Sequence, residues 1–333
     1  MSKPERADLE SLSDLCTPWC LHVAVTLGIA EHIAAGHDRI EPLAAAAQCD
    51  ARVLHCMLGH LVSKGVFEEP ELGRFTLNDA ARELLNPAAR IGLDLDGIGG
   101  RMAFAWGTLL TFVRTGASGY HEVFGRPFWE DLEAHPAVAA SFDALIGAVG
   151  HGTPSAEFQI SGGWDLVKTV VDVGGGTGGM LAQVLHAHLH VRGILVDVPR
   201  AVAQADEVFQ SAGVADRATA VGRSFFDPLP GDANLYLLRG VLNNWPDREA
   251  AALLRNCARA AGTSGRVVIL KSVGPDGEPR RLTVDMVLVG GRHRSISEFR
   301  DLARESGLEV TAAGKQSAYY VVECRVAASG GKS

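Results

Sequence analysis

The residues best suited to chemistry lie in the second half of the chain. The stretch VVDVGGGTGGMLAQVL runs from an apolar strand through glycines into a helix, and Gly174, Gly176 and Gly179 satisfy the G-x-G-x-x-G spacing. Such glycines let the backbone approach a nucleoside or phosphate where a helix begins. Asp197 ends the next strand-like run, where a carboxylate can bind ribose hydroxyls. Taken alone the pattern names a nucleoside cofactor, and it also suits a tight strand-to-helix turn that carries no ligand. Asp172 narrows the choice. A carboxylate aimed at the ligand repels a pyrophosphate but suits the ammonium of a methionyl group, which favours S-adenosylmethionine over NAD. No Lys-Ser or Lys-Thr follows the glycines, so P-loop chemistry is excluded.

A second stretch, VLNNWPDR at 241–248, sets two carboxamides at the exit of the strand-like LYLL. A carboxamide can orient a substrate but has no useful basicity. Asn244 or Asp247 is expected to cap the helix that begins near Pro246. Other candidates are weaker. His186, His188 and His190 in HAHLH sit at a helix end, where residues two apart diverge, and are expected to be solvated. His151, in a connector, could touch substrate. Cys16, Cys20, Cys49, Cys56, Cys257 and Cys324 show no C-x-x-C spacing, so neither a disulfide framework nor a metal site is expected.

The elements that position these residues fall into two grammars. Apolar residues Leu15, Trp19, Val23 and Leu27 recur at helical spacing and predict an amphipathic helix from Leu12 to Ala35, ended by Gly36. Helix, turn at Cys49-Asp50, helix to Gly65 and two strands around Glu71–Gly73 then predict a winged helix-turn-helix. Its second helix carries only Arg52 and Lys64 as cations amid Leu54, Met57, Leu58, Leu61 and Val62, which suits an apolar docking or dimer surface better than DNA. Residues 93–148 read as aromatic-rich helices. After Lys168 strands and helices alternate, and the last two strands lie close enough for a hairpin; a mostly parallel sheet with an antiparallel edge is predicted.

A chain of 333 residues exceeds the roughly 100–200 residues of one domain. With 39 acidic against 31 basic residues, nucleic acid is a poor partner. The start MSKPERADLE lacks a signal-type apolar segment, and no apolar run reaches the about 18 residues of a membrane span, so a soluble cytoplasmic protein is expected.

VDVGGGTG, LVDVP at 195–199, GRSFFDPLP at 222–230, YLLRGVLNNWPDREAAALLRNC at 236–257 and GGR at 290–292 occur in this order behind a helical N-terminal half. In this the chain resembles the S-adenosylmethionine-dependent small-molecule O-methyltransferases, which include plant caffeic-acid-type enzymes and bacterial enzymes acting on aromatic polyketides. The resemblance implies an α/β fold in three parts: a winged-helix dimerisation domain over 1–92, a helical substrate cap and connector over 93–160, and a Rossmann-like catalytic domain over 161–333. It implies a homodimer through the N-terminal helices. It also implies that Gly174 and Gly176 admit the methionyl part, that Asp197 binds both ribose hydroxyls, and that Val198 lies near the adenine. Ser224 stands where an Asp often bonds the adenine amine, Phe225 packs on the ring, and Arg239 lies near the cofactor.

The family's catalytic His corresponds to Asn243 here. Lys271 and His293 stand where the supporting Glu residues are common. Two readings follow: His293 takes over as base while Lys271 stabilises a phenolate, or no base is needed. Losing a base typically costs about 10²–10⁴-fold, whereas holding the reactants in line supplies roughly 7–11 kcal/mol. Relatives of this fold also perform hydroxylation, decarboxylation or pericyclic steps, or methylate carbon. Trp106, Phe142, Ile146 and Leu288 are expected to line the pocket of a flat, uncharged aromatic acceptor; Ile146 stands where relatives often have Met.

Overall fold

The computed structural model describes residues 8–149, 155–317 and 319–327. Its contacts divide the chain into two compact units, one of Met1–Thr108 with Glu122–Gly150 and the other of Leu109–His121 with His151–Ser333.

The first unit is helical. The helix expected from Leu12 to Ala35 is divided into Leu9–Leu12, Cys16–Thr26 and Ile29–Ala34; the second break falls at Gly28, whose left-handed φ of 62° resets the phase of the apolar repeat. Burial therefore falls on Ala24, Val25, Ile29, Ala30 and Ile33, while Leu15 is 75% and Trp19 37% exposed. Next come the helices Ile40–Ala46 and Ala51–Ser63 and the antiparallel strands β1 (Glu68–Glu71) and β2 (Arg74–Thr76), the predicted winged-helix order. Asp50 starts the second of these helices by accepting from Arg52 N and Val53 N at 2.9 and 3.0 Å. That helix turns Leu54, Leu58 and Leu61 into the unit's own core.

The second unit is built on seven strands: β3 (Thr169–Val173), β4 (Arg192–Asp197), β5 (Ala218–Gly222), β6 (Leu235–Arg239), β7 (Arg266–Leu270), β10 (Leu308–Gln316) and β11 (Tyr319–Val326). A separate two-residue pair joins β8 (Val273–Gly274) to β9 (Arg294–Ser295). The sheet order is β10-β11-β7-β6-β3-β4-β5; the five strands from β7 to β5 are parallel, and β11 and β10 form the predicted antiparallel edge. β6 and β7 are apolar runs because both of their faces are covered. Leu253, Leu254 and Cys257 of the helix Asp247–Ala261 and Phe299 of Ile296–Glu305 pack on one face. Leu181, Val184 and Leu185 of Gly179–Ala187 pack on the other, with Trp164 and Phe209.

Strand order reverses between β3 and β6, so a crevice opens beyond their carboxyl ends. Gly174 follows β3 and Val241 follows β6 at this crevice. Among the described residues no helix is long and apolar enough to cross a membrane.

Candidate active site

The glycine loop is shaped by what lies on either side of it. A Cβ at Gly174 would come within 2.9 Å of Val241 Cγ2 and 3.4 Å of Phe225 Cε1, so only glycine leaves the backbone open between these side chains. At Gly175 the obstacle lies below: a Cβ would stand 2.4 Å from Asp172 Oδ2 and 2.6 Å from Leu195 Cδ1. Asp172 is thus enclosed under the loop, 1% exposed, instead of standing open to a ligand. Burial and then the neighbouring Asp197 push its carboxyl up to about 7, against the pull of Arg239. Asp197, at the end of β4, accepts from Gly176 N with Oδ2 at 2.8 Å and from Val198 N with Oδ1 at 2.7 Å. The carboxylate is oriented by two amides beside the loop, and the glycines leave space that a larger residue would fill. These residues fit an adenosyl group held by its ribose.

A pH prediction follows from Asp172. Its folded value of about 7 exceeds an unfolded value of about 4, so its contribution is fully favourable below pH 4 and is lost as pH rises towards 7. Urea unfolding of the ligand-free protein should show Asp172→Asn gaining about 2–3 kcal/mol on the wild type between pH 5 and 8. Equal pH dependence of the two proteins would remove the buried ionisation.

The segment 241–248 is held from the GGR side. Leu242–Asn244 form a 3-10 turn, and Asn243 is 7% exposed. Ser272 Oγ donates to Asn243 Oδ1 at 2.9 Å, and Asn243 Nδ2 donates to Asn244 Oδ1 at 3.2 Å. Arg292 N donates to the Asn243 carbonyl at 2.9 Å, and a Cβ on Gly291 would stand 2.2 Å from that oxygen. Arg294, on β9, is 3% exposed. Its guanidinium donates to Leu242 O at 3.0 Å, Trp245 O at 2.9 Å, Arg292 O at 3.2 Å and Asp247 Oδ1 at 2.9 Å. Neither Asn244 nor Asp247 caps the helix as expected. Pro246 is the N-cap and no side chain caps the helix; Asn244 Nδ2 donates back to Gly240 O at 3.2 Å, and Asp247 is engaged by Arg292 and Arg294.

Beside this loop the second unit has a cavity of about 850 Å³, whose wall includes Phe112, Lys271, Met286, His293, Tyr319 and Tyr320. Lys271 has a left-handed φ of 62°, and its Nζ lies 5.7 Å from the centre of the Tyr319 ring; Arg239 approaches the same ring at 5.9 Å. Burial and then Arg239 draw the Lys271 ammonium below its usual range. His293 is exposed at the wall.

The remaining candidates are placed separately. Ser224 Oγ accepts from Phe226 N at 3.2 Å, and Phe225 packs on Trp245 with ring centres 6.0 Å apart. Asn256, buried in the helix Asp247–Ala261, holds this loop by donating to Phe225 O at 2.8 Å and to Asp227 O. Val198 precedes the short helix Pro199–Val202. In the first unit, Phe142 forms edge contacts with Phe128 and Trp129 at 5.5 and 5.9 Å, and Trp106 and Ile146 are each 40% exposed. Leu288, in the second unit, is buried. His188 is not solvated as expected: it stacks on Trp164 at 4.2 Å, and burial lowers its affinity for a proton. His151 lies outside the described residues. Arg294, Ser272, Asn256 and Tyr319 are missing from the sequence-based candidates. The R-H-R run around His293 and the paired Tyr319-Tyr320 were the available signals.

A model of the O-methyltransferase dimerisation domain matches residues 9–87, and one of the O-methyltransferase domain matches residues 106–309. With this fold and glycine loop, the chain belongs to the S-adenosylmethionine-dependent O-methyltransferase family. It is 37% identical over 324 residues to the 2,7-dihydroxy-5-methyl-1-naphthoate 7-O-methyltransferase of Streptomyces carzinostaticus, covering 95% of this chain and 96% of the relative. It is 38% identical over 315 residues to the aclacinomycin 10-hydroxylase RdmB of Streptomyces purpurascens, covering 90% and 83%. In structure it is similar to NcsB1, an O-methyltransferase of neocarzinostatin biosynthesis solved with S-adenosylmethionine and 2-hydroxy-5-methyl naphthoic acid. The TM-score is 0.85 and the identity 37%, with 97% of this chain and 99% of that one covered.

Proposed function

We propose that this enzyme methylates a hydroxyl of an aromatic natural product without a general base at residue 243. This reading rests on the Asn243 amide, buried in the 3-10 turn that follows β6 and held by Ser272 and Asn244. It can orient a hydroxyl but cannot take its proton. Asp197 holds the ribose, Ser224 and Phe225 receive the adenine, and Arg239 lies near the cofactor. When bound, S-adenosylmethionine supplies an electrophilic methyl group on its sulfonium. The acceptor lies against the aromatic wall of the cavity, where Lys271 favours the phenolate and His293 passes the proton to solvent. The aromatic acid of the naphthoate-methylating relative supports this acceptor class. A flat phenol is the kind of acceptor expected from the aromatic helical stretch, and Lys271 on the cavity wall favours one that ionises readily.

Turnover with S-adenosylmethionine and a panel of phenolic polyketides, scored by mass, tests this reading. The expected product gains one methyl and S-adenosylhomocysteine is released. His293→Ala should lower kcat at neutral pH by about 10–100-fold with little change in KM, and alkaline buffer should restore it by ionising the phenol directly. Unchanged kcat would leave positioning without His293.

A second reading is favoured by the 38% identity to a hydroxylase. There the product gains one oxygen, and no S-adenosylhomocysteine accompanies it.

A further inference from the structure

The first unit holds a group of metal-binding side chains that methyl transfer does not use. Cys16 and Cys20 stand four residues apart on the helix Cys16–Thr26, so both leave the same face. Their sulfurs are 3.8 Å apart. His60, from the helix Ala51–Ser63, brings a ring nitrogen to this pair, and the three donor atoms all lie within 4.8 Å of one another. A tetrahedral zinc ion with bonds of about 2.3 Å to sulfur sets its two thiolates about 3.8 Å apart. The two cysteines already span one edge of that tetrahedron. No other group of three such donors is this close among the described residues.

We propose that Cys16, Cys20 and His60 bind one thiophilic divalent cation, with zinc as the natural occupant, in a site whose fourth position is open. Two thiolates and an imidazole select zinc over magnesium or calcium, which prefer oxygen. Two Sγ–H protons leave to solvent as two metal–sulfur bonds and one metal–nitrogen bond form, and nothing is oxidised or reduced. Cys16 is exposed and the other two donors are half-buried, so the ion enters without unfolding the chain. Around them, Thr17 Oγ1 lies 2.8 Å from His60 Nε2 and donates to Asp14, a chain that steadies the imidazole. The expectation of no metal site rested on C-x-x-C spacing. Here the donors come from one helical turn and from a second helix 40 residues further along.

The ion would tie the first long helix to the helix Ala51–Ser63 inside the segment matched as a dimerisation domain, so its readout is metal binding and stability. The test uses the full-length reduced protein, freed of metal and titrated with cobalt(II). One equivalent per chain should produce the visible bands of tetrahedral thiolate-bound cobalt, zinc should bleach them, and the thermal midpoint should rise with zinc. Cys16→Ser and Cys20→Ser should each remove the bands and weaken zinc by more than the about 10–100-fold that loss of an outer-shell partner costs. Cys56→Ser, at an exposed cysteine on the same helix as His60, should change neither. Cys16 is also exposed, so its substitution leaves the core intact. Absence of the bands in the wild type, or bands that survive in both Cys16→Ser and Cys20→Ser, would overturn the assignment.

Discussion

Asp197→Ala is expected to weaken S-adenosylmethionine binding by about 10²–10⁴-fold, the loss of two charge-assisted hydrogen bonds at about 1.5–3 kcal/mol each. In the ligand-free protein this carboxylate already accepts from Gly176 N and Val198 N, so the substitution also loosens the loop that receives the cofactor. The fold should survive. Removing the charge of Asp197 relieves Asp172, whose raised value owes its second contribution to that neighbour. Calorimetry should therefore show a large loss of cofactor affinity beside a small change in thermal midpoint. Asp197→Asn keeps one acceptor oxygen and should fall between the wild type and the alanine variant. An alanine variant that binds the cofactor as tightly as the wild type would remove Asp197 from the ribose.

Arg294→Ala is expected to be the most damaging single substitution outside the hydrophobic core. One guanidinium serves the carbonyls of Leu242, Trp245 and Arg292 and the carboxylate of Asp247. Asp247 is 49% exposed, so its ion pair is screened and contributes little. The cost comes from three carbonyls that lose a charged donor, of which the buried Leu242 oxygen keeps only Trp245 N at 3.3 Å, and it amounts to about 2–5 kcal/mol of unfolding free energy. Activity should fall further than stability predicts, because the same carbonyls fix the turn that holds Asn243, and a 1 Å misplacement costs about 10²-fold. Arg294→Lys separates the two effects: it keeps the charge but cannot reach four acceptors, so stability should recover in part while kcat stays low. A folded alanine variant with wild-type kcat would show that the turn holds itself.

Both predictions concern residues that came to light differently. Asp197 was legible in the sequence, since an acid at the end of the strand after a glycine loop has one local geometry to adopt. Arg294 was not, since its work depends on β8 and β9 bringing residue 294 beside residue 242. The Asn243 position was legible only as a departure from the order of motifs. Its hydrogen bond from Ser272 needed the two chain segments to meet.

What the sequence determined by itself is local. Alternating apolar strands and helices dictated the sheet and its antiparallel edge, the glycine loop announced a nucleoside site, and the N-terminal pattern announced a winged helix. These signals are carried by neighbours along the chain, where side-chain period and turn chemistry act directly. Tertiary structure decided the rest. It placed Asp172 under the loop, where loss of hydration pushes its carboxyl up to about 7. It stacked His188 on Trp164, and it brought Cys16 and Cys20 to His60. Burial and the approach of distant side chains set those properties, and neither is a function of sequence separation.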